Sequence, residues 1–585
     1  MCLQGTSGRA TRWLALIMVA ALAGGCGGRL ARQQPAVGEK VAGKKAALPF
    51  PKPAPREREL DSDSLFSFLV GELGARRGEL PLALNHYLHV ARLTGSAYAA
   101  ERAARIALFL KNEEKLDKAV RLWVELAPNA IPARQFAARV ALRHGKREDA
   151  LRHLRAILAI SRALGEDGYL QAAAAFAKTD QARDGIPLLE TLSAEAGGAR
   201  EARYAVALLA LAAKDYDTAG RWIEPLVEEA PDDSRAVLLY SQVLVARKQP
   251  GQAIAALRRG IGHKPEERAL QVALGRLLVD ADRLEEARQV FKKLHKAYPD
   301  EPEILFTLAM LSLQQKDWGD AERALRQLRA KGFKTDDVTF YLGQVAETQK
   351  RYKEAAEWYQ AVSAGNYAEE ARIRLARVLA LSGELDQALE TARRLGKDFP
   401  ERRVQAILLE GELLHEAGRD EQAYALYNRA LKRFPENLDL RYSRGLIAAE
   451  LGHLDVLERD MRAILARKPE HADALNALGY TLADQTDRYE EAYQLISRAL
   501  KLRPDSAAVM DSMGWVLYRL GRLDEARDYL RKAYGKNPDG EIGAHLAQVL
   551  WAIGERDKAR ALIRAGLEKD PDNRFLKAVS QRLPR

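Results

Sequence analysis

An all-α solenoid of stacked helix–turn–helix hairpins is the fold class that this 585-residue sequence predicts. Two observations predict it. The first is a period. Prolines recur at Pro231, Pro265, Pro299, Pro400, Pro435, Pro469, Pro504, Pro538 and Pro571, in steps of 33 to 35 residues and one of 101, which is three repeats less one residue. Proline removes a backbone donor and clashes with the preceding turn, so each one marks the end of a helix. The second is the pattern within one period, clearest from Met510 to Pro538. Gly514 sits where two helices pass closely. Gly521 ends the first helix. Ala526, Leu530 and Ala533 form an i, i+4, i+7 stripe on the second, and Pro538 stops it. Such a hairpin cannot bury its apolar faces alone and needs copies on both sides. Aromatic residues make up only 7% of the chain, which suits stacked helices and gives no support for a sheet.

Leu274-Gly275, Ala287, Phe291 and Pro299 share their offsets with Gly411, Ala423, Tyr427, Ala430 and Pro435, and with Leu478-Gly479, Ala492, Ala499 and Pro504. This spacing resembles the tetratricopeptide-repeat (TPR) pattern. The resemblance implies a right-handed superhelix of about fifteen hairpins, with a concave face built from the first helix of each. In a solenoid each unit contacts mainly its neighbours, so length does not divide this chain into several compact cores.

Taken in order, residues 1–25 have the form of a secretory signal. Arg9 and Arg12 precede the apolar run Trp13–Leu22, which is too short to make a good spanning helix, and small residues follow. The stretch Leu-Ala-Gly-Gly-Cys26 resembles a bacterial lipobox, with one extra glycine placing Leu22 four residues before Cys26. The resemblance implies that the signal is removed and that Cys26 carries acyl chains. Each buried CH₂ of such a chain would contribute about 0.8 kcal/mol to anchoring. Gly27 occupies the position where an Asp would imply retention at the inner membrane, so outer-membrane sorting, facing the periplasm, is expected. An ordinary signal peptide with an incidental cysteine is the competing reading. Cys2 and Cys26 are the only two cysteines, so the rest of the chain holds neither a disulfide framework nor a thiol metal site.

Residues 26–60 read as a lipidated cysteine followed by a disordered Pro/Lys/Arg-rich tether. Pro49-Phe-Pro-Lys-Pro-Ala-Pro55 favours extended backbone, reaching roughly 3 Å per residue. The array occupies 61–575. Asp61-Ser-Asp-Ser64 offers a cap to a helix whose apolar face starts at Leu65, and Gly71, Gly78, Ala83 and Tyr87 mark the first hairpin. The pattern nearly vanishes between Gly165 and Gly198. It loses its proline at Ala364-Gly-Asn366, and it takes Leu457 and Ile464 in place of small residues. These units are candidate bends. Residues 576–585 form a C-terminal cap and tail, with a capping helix expected over Phe575–Leu583.

The net charge of +11 is concentrated at the front: residues 1–25 carry +2, residues 26–60 carry +5, and the array only +4, with its acids and bases interspersed. A nucleic-acid-binding superhelix would gather its cations on one face, so nucleic acid is excluded as a partner. No catalytic constellation, cofactor motif or metal set stands out, and no small-molecule substrate is expected. His86 and His89 are spaced i, i+3 rather than the i, i+4 of a zinc-protease helix. Gly38–Lys45 approaches a phosphate loop but lacks the final Ser or Thr and a preceding strand. The carboxylate pairs Glu285-Glu286 and Glu490-Glu491 recur with the repeat and read as a solvated face.

Mapped through the TPR resemblance, the partner-facing positions of the last first helices are Asn476, Tyr480, Asp484, Asp511, Trp515, Tyr518, Arg519 and Trp551. Tyr480, Trp515, Tyr518 and Trp551 would then form an aromatic wall beside an arginine, the composition that peptide-binding grooves use. The competing reading is that these rings fill gaps between repeats. The runs Asp473–Asp484, Arg488–Ala492 and Asp511–Tyr518 resemble proteobacterial outer-membrane TPR lipoproteins of the kind called LbcA. That resemblance implies a non-catalytic adaptor that brings clients, peptidoglycan hydrolases, to the carboxyl-terminal processing protease CtpA in the periplasm. A different class remains open: a structural scaffold for an envelope machine such as a pilus, a polysaccharide exporter or a barrel-assembly complex.

Overall fold

In the computed structural model, which describes residues 49–50 and 61–582, every regular element is helical. The described residues hold thirty-one α-helices, fifteen consecutive hairpins and one terminal helix, with a short 3-10 turn at Pro400–Arg402. The first hairpin is Ser62–Arg77 with Leu80–Thr94. The fourteenth is Ala507–Arg519 with Leu523–Lys536, and the fifteenth is Gly540–Ala552 with Arg556–Lys569. Each of the nine periodic prolines lies two residues past the end of a second helix, as Pro231 does after Glu229 and Pro538 after Lys536. The chain forms two compact units, one ending at Ala321 and one starting at Glu322.

The close approach expected at Gly514 is present. A Cβ there would collide with the Leu530 side chain and stand 3.1 Å from the Ala526 carbonyl oxygen. Gly275 repeats the device: a Cβ would lie 2.6 Å from the Phe291 ring. Ala526, Leu530 and Ala533 are fully buried, and a fully buried Leu contributes about 1.5–3 kcal/mol. Gly521 ends the first helix with φ +77°, a conformation glycine adopts without Cβ strain.

The irregular units keep the stacking by other means. The fourth hairpin shortens its first helix to Gly168–Ala174, and Phe176 packs over Gly185 so closely that a Cβ would come within 2.7 Å. The ninth shortens its second helix to Tyr352–Gln360. Asp336 then closes the following loop by accepting from the backbone N–H groups of Ser363 at 2.7 Å and Ala364 at 3.3 Å. In the twelfth, Leu457, Met461 and Ile464 are buried beside Asp460, whose carboxylate accepts from Arg444 Nε at 2.7 Å and Nη2 at 2.6 Å. The terminal helix Arg574–Arg582 caps the array with Leu576 and Val579 buried.

The first helix differs from the expectation. Asp61 caps it, accepting from Ser64 N–H at 2.8 Å, yet its apolar residues do not face the core. Ser64, Ser67, Gly71 and Gly74 are buried, Gly71 against Tyr87 and Gly74 against Ala83, while Leu65 is 48% and Phe66 62% exposed, and Leu69 and Leu73 lie outside with them. The small residues win the interface because only they allow the Tyr87 ring so near the backbone.

The Glu-Glu pairs are also not simply solvated. Glu491 and Glu286 are tied to arginines of the preceding hairpin, Arg462 and Arg258 respectively. Glu458 and Arg462 of one second helix form a square with Arg488 and Glu491 at the start of the next: Arg462 meets Glu491 at 2.6 Å, and Arg488 meets Glu458 at 2.9 Å. Glu322, Arg326, Arg351 and Glu354 build the same square in the second unit, with Arg326–Glu354 and Arg351–Glu322 both at 2.7 Å.

Within the stretch expected to be a disordered tether, Pro49 and Phe50 are described, and Phe50 is docked. Its backbone pairs with the Asn129 carboxamide and its ring lies under Arg134, contacts that offset the cost of ordering the segment. Cys26, the signal and the rest of residues 1–60 lie outside the described residues.

Candidate partner-binding site

Three neighbouring first helices, Ala472–Gln485, Ala507–Arg519 and Gly540–Ala552, bring the expected residues into one place. Their spacing is the repeat itself: positions about 34 residues apart fall side by side when hairpins stack. The set divides into a buried base and a half-buried upper layer.

The base is a histidine–carboxylate pair. His545 Nδ1 stands 3.0 Å from both oxygens of Asp511, and both residues are buried. Burial alone would push the imidazole down. The Asp511 carboxylate, with the charges of Glu541 and Asp484 behind it, outweighs that and holds His545 above its ordinary value. The indole of Trp515 stacks on His545 with ring centroids 4.3 Å apart and 24° between planes. Its Nε1–H donates to Asp484 Oδ1 at 3.2 Å.

Trp515 and Asp511 therefore do not stand open to a partner as the sequence pattern expects. Trp515 is only 7% exposed, because its flat face covers the imidazole and its single donor is already used. What it presents to the next layer is Tyr518, whose ring centroid lies 5.3 Å away.

The upper layer is half-buried. Arg519 donates to the Asp484 carbonyl oxygen at 2.9 Å and to the Tyr489 hydroxyl at 2.7 Å, with its guanidinium 4.8 Å from the Tyr489 ring centroid. The Tyr480 hydroxyl donates to Glu541 Oε1 at 2.9 Å. Burial first, then the Glu541 charge, pushes the Tyr480 phenol up, and burial likewise pushes Glu541 up. Asn476 keeps a buried side-chain oxygen that no group among the described residues satisfies. Trp551 joins this layer least. It is held under Arg556 and Arg560, at 5.3 and 5.2 Å from its ring.

Sequence reasoning missed His545, Glu541 and Tyr489. A signal for His545 existed: it falls 34 residues after Asp511, one period on, at the equivalent register. Among the described residues no group of three or more His, Cys, Asp or Glu side chains could hold a metal ion, and no helix is long and apolar enough to cross a membrane. His89, singled out with His86, meets Asp63 at 3.2 Å on the surface.

Comparison with known proteins agrees with the architecture. Tetratricopeptide-repeat profiles match residues 244–300, 278–339, 408–456, 470–535 and 517–582. The chain is 34% identical over 550 residues to TPR repeat-containing protein PA4667 of Pseudomonas aeruginosa, covering 92% of this chain and 90% of that protein. Among solved structures it is similar to TTC0263, a thermophilic TPR protein of Thermus thermophilus, with 27% identity, TM-score 0.28, and coverage of 30% of this chain and 95% of that one. It is also similar to PilW, a type IV pilus biogenesis factor, with 18% identity, TM-score 0.31, and coverage of 37% and 99%.

Proposed function

This chain belongs to the tetratricopeptide-repeat proteins, a family of protein-interaction arrays, and from that premise we propose that it is a non-catalytic adaptor. Cys26 carries the lipid and holds the array at the periplasmic face of the outer membrane. The array binds client proteins, peptidoglycan hydrolases among them, and a carboxyl-terminal processing protease. Catalysis belongs to the protease, which gains from the raised local concentration of client.

One observation carries the binding role. The half-buried layer of Asn476, Tyr480, Tyr518 and Arg519 rests on a base in which Asp511 and His545 already satisfy each other. Such a layer combines flat aromatic area with an arginine, and its side chains are positioned before a partner arrives, which reduces the ordering cost of binding. The lipobox-like Leu22–Cys26 and the runs Asp473–Asp484 and Asp511–Tyr518 support the envelope setting and the adaptor role.

The test is a pull-down of the full-length lipidated protein from detergent-solubilised envelopes, analysed by mass spectrometry. Recovery of a serine protease of the carboxyl-terminal processing type, with wall hydrolases enriched when that protease is inactive, is the expected result. Recovery of pilus, secretion or barrel-assembly subunits instead would replace the adaptor with a scaffold.

A further inference from the structure

The contact made by Phe50 belongs to the first unit and has the form of a binding site. The Phe50 backbone N–H donates to Asn129 Oδ1 at 3.1 Å, and its carbonyl oxygen accepts from Asn129 Nδ2. One carboxamide thus satisfies both backbone polar groups of a single residue at a bend in the chain. The phenyl ring lies beneath Arg134, whose guanidinium carbon is 4.6 Å from the ring centroid. Arg134 is fixed in turn. Its Nε donates to the Pro128 carbonyl oxygen at 3.0 Å, and its Nη1 reaches His153 Nδ1 at 3.5 Å. Burial, then the Arg134 charge, pushes His153 down to about 4, so it faces Arg134 as a neutral acceptor near neutral pH.

The sequence of the docked segment fits this receptor. Phe50 lies between Pro49 and Pro51. A following proline restricts the backbone of Phe50, which lowers the ordering cost of docking it. The prolines offer no N–H of their own, which leaves the Phe50 amide as the donor of the Pro-Phe-Pro stretch.

We infer that Asn129 and Arg134 form a capture site for a peptide segment bearing an aromatic residue between prolines, and that Pro49–Phe50 is its resident ligand in cis. Ten residues, 51–60, join Phe50 to the capping residue Asp61. A connection that short gives the resident segment an effective concentration on the order of millimolar. A segment of the same chemistry arriving from another molecule must displace it, so the site is screened against weak ligands.

The experiment uses a fluorescein-labelled peptide of residues 45–55, titrated by anisotropy into the full chain. The Phe50→Gly chain, with its site vacated, binds the peptide about tenfold more tightly than the native chain, the margin that millimolar competition gives a segment whose own Kd is about 0.1 mM. Adding Asn129→Ala to Phe50→Gly abolishes the binding, and a peptide with Ala in place of Phe does not bind. Circular dichroism melting of each variant keeps loss of fold separate from loss of the site. Equal affinity for the native and Phe50→Gly chains, or unchanged binding after Asn129→Ala in a folded chain, would overturn the inference.

Discussion

Replacing Asp511 with Asn removes the charge that faces His545 and leaves the shape of the site nearly unchanged. Removing one partner of a buried ion pair costs about 3–5 kcal/mol when the remaining charge cannot escape. His545 can escape by releasing its proton, and the cost then falls towards that of one lost charge-assisted hydrogen bond, about 1.5–3 kcal/mol. The pH decides between the two. His545 is raised in the folded state, so its contribution is fully present below the ordinary imidazole value and is lost as pH rises through the folded value. Glu541, also raised, adds a slope of the same sign. Asp511→Asn should therefore cost more at pH 5.5 than at pH 8, and the native protein should lose local stability between them. The observable is amide hydrogen exchange within Ala507–Arg519 and Gly540–Ala552, since a repeat array need not unfold as one unit. A cost that is equal at the two pH values, or larger at pH 8, would refute the assignment of a charged His545–Asp511 pair.

Gly514→Ala introduces a methyl group against Leu530. Overpacking of about 1–3 kcal/mol exceeds the roughly 1 kcal/mol gained in helix propensity, so exchange in Leu523–Lys536 should accelerate rather than slow. Asp460→Ala strands the Arg444 guanidinium and should cost about 3 kcal/mol by denaturant unfolding; a loss below about 1 kcal/mol would show the pair to be solvated. Tyr518→Ala should weaken capture of the partner identified by pull-down by about 2 kcal/mol with little loss of fold, whereas Trp515→Ala should reduce stability by about 3–5 kcal/mol through the cavity it leaves; calorimetry and melting separate the two.

Much of the fold was readable because its determinants are local. A proline ends the helix beside it, a glycine and an aromatic one hairpin apart define a close crossing, and Asp61 caps the helix that begins at Ser62. Pairings between elements were harder to read. Phe50 and Asn129 are 79 residues apart, and neither belongs to the repeat pattern. The first helix escaped for a different reason: Leu65, Leu69 and Leu73 have the spacing of a core stripe, and only the size of Tyr87 reveals that the opposite, small-residue face must be the buried one. In the candidate site the repeat register brought Tyr480, Asp511, Trp515 and Arg519 together as expected, but register does not tell which layer each side chain joins. That depended on His545, which supplied the charge that drew Asp511 inward and the flat surface that drew Trp515 over it.

The arginine–glutamate squares have a thermodynamic consequence. Each square has two sides within single helices and two that cross to the next hairpin, so the crossing pairs add to the coupling between adjacent hairpins while the others belong to the intrinsic stability of each. Exposed pairs of this kind contribute about 0.2–1 kcal/mol each and are screened by salt. In a one-dimensional array the coupling constant sets how many units unfold together. Raising ionic strength should then shorten that cooperative length, broadening the unfolding transition more than it lowers the midpoint, so that dissolved salt tunes how far a disturbance at one hairpin travels along the chain.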